Sequence, residues 1–160
     1  MLPPMQGAPQ GTPNRSPIVG CIFSTLRGIA GVVAGIISGA ALNMGIIYAG
    51  AALLPPPEGV DVGNIESINA NIDKYTVIDM MVPFAAHALG TLLGAFVAAM
   101  IAVTPRSRLR VSLVVGCVFL IGGIEAVRRI PNAPLWFDVL DLGLAYIPMA
   151  LLGWWLAVRK

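Results

Sequence analysis

Four side chains that can hydrogen-bond or titrate fall at one expected depth along this chain: Asn43, His87, Glu125 and Asp141. Each belongs to a different apolar stretch. Counting about 1.5 Å per residue from the basic end of each stretch puts Asn43 about 22 Å along the first, His87 about 25 Å along the second, Glu125 about 24 Å along the third and Asp141 about 25 Å along the fourth. Ionisable groups at such depth are costly unless they pair or line a wet cavity, which makes this layer the candidate functional site. Histidine beside a carboxylate can exchange protons, with Asn43 orienting the pair. A purely structural reading competes with this and weighs somewhat more. In it Glu125 ends a helix beside Arg128 and Arg129, Asp138 and Asp141 occupy a wet first turn where the helix dipole favours acids, and Asn43 and His87 bond each other as glue.

Other chemistry lacks its residues. The two cysteines, Cys21 and Cys117, form no CxxC or metal-ligand spacing and read as apolar packing residues; Ile18-Val19-Gly20-Cys21 lacks the apolar run that a lipidation site requires. A single histidine, His87, gives no haem pair, and neither HExxH nor GxSxG is present, so no metal, no cofactor and no enzymatic activity are expected. Arg106, Arg108 and Arg110 have no aromatic neighbours of the kind that accompany nucleic-acid binding.

The elements that must position the layer follow from composition. Hydrophobic residues make up 57% of the chain and charged residues 11%, and the mean hydropathy is +0.82, values outside those of a soluble domain. Four apolar stretches, about 28–54, 78–103, 109–126 and 136–158, predict an all-α integral membrane bundle of four transmembrane helices within a single domain over 22–160. Arg15, Arg27, Arg106, Arg108, Arg110, Arg159 and Lys160 all flank one side of these spans, which predicts that both termini are cytoplasmic, in a bacterial inner membrane. All eight acids then fall in outer loops or outer halves of spans. Residues 1–21, rich in Pro and Gly, read as a disordered cytoplasmic tail.

In the outer loop 55–77, Pro55-Pro56-Pro57 stops the first helix. Ile65, Ile68, Ile72 and Tyr75 then recur at spacings of three and four after Asn64, a plausible N-cap, so a short amphipathic helix is expected there. It either lies on the membrane surface or over the bundle mouth to bury its apolar face, or serves as a lid. Gly31, Gly35 and Gly39 place glycines along one face of the first span, and Gly90 and Gly94 do so on the second; such faces let helix backbones approach closely in lipid. Pro148 is expected to kink the fourth helix.

PPPEG after the first span, the glycine-rich second span and the stretch Ile130-Pro131-Asn132-Ala133-Pro134-Leu135-Trp136-Phe137 resemble small bacterial four-helix membrane proteins of no assigned activity. The resemblance covers residues 28–158 in outline and implies the topology alone. Two functions remain. The favoured one is a non-catalytic membrane component, an accessory subunit or homo-oligomer whose glycine faces bind other spans, with the lipid bilayer and a membrane-protein partner as its surroundings. The alternative is a small transporter or channel using the polar layer. Four short spans rarely enclose a pathway alone, and no internal repeat of the transporter kind is evident.

Overall fold

The computed structural model describes residues 17–159. Most of the expected tail therefore lies outside the described residues, and its last part, from Pro17 to Cys21, already belongs to the first helix. All regular structure among the described residues is helical. Six α-helices follow one another: α1 Pro17–Leu53, α2 Ile65–Ala70, α3 Val77–Ile101, α4 Pro105–Arg129, α5 Leu135–Leu144 and α6 Ile147–Val158, with a single 3₁₀ turn over Ile72–Lys74. α1, α3, α4 and the pair α5–α6 are each long and apolar enough to cross a membrane. Their outer surfaces agree with that. Ile29, Val33, Ile37, Leu89, Val118, Ile121, Leu151 and Leu156 are all exposed, a distribution that suits hydrocarbon as the surrounding solvent and would aggregate in water.

Short polar punctuation fixes where the helices start. Thr76 caps α3 by accepting from the backbone N–H of Asp79, while the Asp79 carboxylate accepts from the Thr76 backbone N–H at 2.8 Å. Thr104 and Ser107 form the same reciprocal arrangement ahead of α4, and Pro105 stands at its first position, where a missing N–H costs nothing. This cap starts α4 earlier than the apolar stretch from 109 suggested. Arg106, Arg108 and Arg110 are thus in its first turns, and the α3–α4 connection shrinks to three residues, 102–104.

α3 is the central helix, packed against α1, α4 and α6. It meets α1 backbone to backbone because both faces are glycine, and it approaches α6 as closely where Gly153 meets the Leu92 carbonyl. A side-chain carbon placed on Gly39 would lie 2.6 Å from the carbonyl oxygen of Gly90, and one on Gly94 would lie 2.7 Å from that of Gly35. Gly31 meets the carbonyl of Ala98 in the same way, at 2.9 Å. The glycines read as helix-packing residues therefore pack two helices of the same chain against each other. Ala98, Ala102, Val111 and Val115 fill the adjoining core, and the buried Ser112 hydroxyl donates to the Ala95 carbonyl at 2.9 Å, tying α4 to α3. Cys21 and Cys117, expected as packing residues, are instead exposed, since each sits on the outward arc of its helix.

The fourth apolar stretch is broken. Pro148 cannot donate to the Leu144 carbonyl, and the helix ends at Leu144 and restarts at Ile147, with Tyr146 outside helical geometry at φ −114° and ψ −78°. In an unbroken helix residues five apart point about 140° away from each other. The break removes that constraint and lets Tyr146 reach Asp141.

Candidate functional site

The half of the bundle away from the basic α3–α4 connection holds a cavity of about 370 Å³. α1 contributes Asn43, Met44, Ile47 and Ala51 to its wall; α3 contributes Asp79, Met80, Pro83 and His87; α4 contributes Gly123, Ala126 and Val127; α5 contributes Phe137, Asp138 and Asp141. The roof is the segment between α1 and α3. Ile65 and Ile68 of α2, Ile72 of the 3₁₀ turn and Tyr75 beyond it all line the cavity, but the α-helix ends at Ala70, so the four do not share one helix as their spacing suggested. Local hydrogen bonds hold that segment in shape. Asn64 accepts from the Ser67 N–H at 3.0 Å, Asp61 accepts from the Gly63 N–H at 2.9 Å, and the Ser67 hydroxyl accepts from the Asp61 N–H at 3.0 Å. Burial, and then the nearby Asp79 carboxylate, raise the Tyr75 phenol above its ordinary value.

His87, Asp141 and Tyr146 form one hydrogen-bonded cluster at the wall. His87 Nδ1 lies 2.9 Å from both carboxylate oxygens of Asp141, and the Tyr146 hydroxyl donates to Asp141 Oδ2 at 2.8 Å while standing 3.1 Å from His87 Nδ1. A carboxylate only accepts, so this geometry assigns the ring proton to Nδ1 and leaves Nε2 free for a ligand. The two rings stack with centroids 5.8 Å apart. Asp141 is 3% exposed and Tyr146 1%, whereas the His87 side chain keeps 23% of its surface open. The acid is thus sealed behind the imidazole, and the imidazole borders the cavity. Gly123 of α4 makes room for this: a side-chain carbon there would come within 2.6 Å of Tyr146 Cζ, so the phenol occupies the space a side chain would take.

Three of the four residues in the expected layer line one cavity. Asn43 lies against Gly90 and makes no hydrogen bond to His87 among the described residues, so the two do not act as mutual glue. Glu125 does not join them. It stands on the exterior of α4, half-exposed, bound to Arg129 at 3.0 Å and near Arg128 at 4.0 Å, because Gly123 and Ala126 occupy the inward arc on either side of it. Tyr146 and Gly123 had no sequence signal of their own; the Pro148 break was the available clue, since it frees a residue near 145 from the helical register.

Asp141, His87 and Tyr146 can hold and pass a proton and can present one nitrogen to a bound molecule. Among the described residues no serine, threonine or cysteine is hydrogen-bonded to His87. Among the described residues no group of His, Cys, Asp and Glu is arranged to hold a metal ion. Comparison with protein-family models, with curated proteins and with solved structures finds no match to this chain, and the cavity and its polar wall are left to carry the functional reading.

Proposed function

We propose that this chain is a small non-enzymatic membrane protein that binds a small, largely apolar molecule in the cavity, as part of transport across or sensing at the membrane. One observation carries the reading: an aspartate buried to 3% exposure is bonded to the one histidine, whose imidazole lines a largely apolar chamber. Buried acids are costly and are retained where they hold a partner in place. The chamber's volume falls in the range of small-molecule sites, about 300–1,000 Å³. With Arg27, Arg106, Arg108, Arg110 and Arg159 at the opposite end, the cavity end is the outer one and both termini are cytoplasmic. The glycine faces support this over a role in gripping other proteins, since each is occupied by the other within the chain.

The accessory-subunit reading draws on a different region. α1 begins at Pro17, eleven residues before Gly28 faces Val111 of α4, and Ile18, Val19, Ile22, Phe23 and Leu26 in that first stretch are all exposed. Extraction of the intact protein in native lipid, followed by mass spectrometry, separates the two. A small molecule bound to the wild type and lost from Asp141→Asn is the expected result; a stoichiometric protein partner with no bound small molecule would overturn it.

A further inference from the structure

The walls of the cavity carry charge of one sign. Asp79, Asp138 and Asp141 line it, and neither lysine nor arginine does. The basic groups of the adjoining segments are bound elsewhere: Lys74 is exposed and bonded to Asn71 Oδ1 at 2.6 Å, and Arg128 and Arg129 are exposed beside Glu125. Two of the three acids have work within the fold. Asp79 closes the cap of α3 and Asp141 holds His87 and Tyr146. The Asp138 carboxylate has no hydrogen bond or ion pair among the described residues, whereas its backbone N–H is bonded to the Pro134 carbonyl; one turn before Asp141 on α5, the residue is half-buried in the wall beside Phe137. An acid lining an apolar chamber without a partner is what a cationic ligand would complete, and Phe137 and Tyr75 offer ring surface of the kind that also attracts cations.

Resting on the ligand-binding reading above, we propose that the ligand is an organic cation, a protonated amine on a compact apolar body. Its ammonium pairs with Asp138 and donates a hydrogen bond to His87 Nε2, while its apolar part lies against Met44, Ile47 and the isoleucines of the roof. The charge pattern disfavours carboxylates and phosphates, which would meet Asp79 and Asp138 with neither lysine nor arginine to pair with.

Three probes of nearly one shape test the charge: 3-phenylpropylamine, 3-phenylpropanol and 4-phenylbutyrate, titrated against the full chain in lipid nanodiscs. The amine is expected to bind at least about tenfold more tightly than the alcohol, and the carboxylate more weakly than either. Asp138→Asn, which breaks no bond in the fold, is expected to weaken the amine about tenfold and leave the alcohol unchanged. Equal binding of all three probes, or an amine affinity untouched by Asp138→Asn, overturns the cation proposal and leaves the cavity reading standing. If no probe binds and the extracted protein carries no small molecule, both fall.

Discussion

α1 and α3 meet twice, and the two meetings differ in kind. From Gly31 to Gly39 the helices touch backbone to backbone, with Gly90, Gly94 and Ala98 opposite and no space for a single added carbon. Beyond Asn43 the same pair is held apart by side chains: Val82 of α3 packs onto the backbone at Gly50, and on the inner side Asn43, Met44 and Ile47 face His87 and Met80 across the cavity. Small residues seal one half of the bundle, and larger ones leave the other open. A rigid, closely packed lower half can support a chamber above it because the helix directions are already set where the glycines meet.

The largest effect is expected where the contact is backbone to backbone. Gly35→Leu has no flexible neighbour to displace, since its first obstacle is the Gly94 carbonyl, and it should cost about 3 kcal/mol or more. Equilibrium unfolding in bicelles reads this directly; a variant as stable as the parent would show that the interface yields. In the open half, Gly123→Ala drives a methyl into the Tyr146 ring and should cost about 2 kcal/mol, less than the first because the obstacle is a side-chain ring rather than a backbone carbonyl and the added group is smaller. It should also lower binding of 3-phenylpropylamine, which Gly35→Ala at the far end would not do unless the fold failed.

The contrast between the halves also governs what could be read from the sequence. The four apolar stretches, the glycine faces and the isoleucine periodicity after Asn64 depend on spacing within one helix, and they were legible as such. Position counted along each stretch grouped Asn43, His87 and Asp141, and these three line one cavity. Which way a side chain faces at that position was not legible. Glu125 shares the depth of the others, yet a rotation of about 200° separates it from Gly123, the inward residue two positions before it. Tyr146 was harder still, because its approach to Asp141 exists only through the break before Ile147, and Gly123 has meaning only once that phenol is in place.

Removing a single hydroxyl from the cluster should have a smaller effect than crowding it. Tyr146→Phe keeps the ring against Gly123 and deletes the bond to Asp141 Oδ2, which should cost about 1 kcal/mol in stability. The carboxylate retains His87, so ligand binding should weaken less than in Asp141→Asn. If the two variants bound 3-phenylpropylamine equally poorly, the phenol would be as important as the acid in setting the imidazole.

Glu125→Gln should do least, and this distinguishes depth from orientation. Its carboxylate lies at the same expected level as the cavity residues, but its partners are Arg128 and Arg129 on the exterior, where water or headgroups compete for every bond. An exposed pair three or four residues apart on one helix contributes under about 0.5 kcal/mol, and the change leaves the cavity wall untouched. Unfolding free energy and amine affinity should both stay close to those of the parent. A clear loss of affinity with unchanged stability would mean that the charge outside α4 reaches the ligand, and that the chamber's selectivity is set by more than the residues that line it.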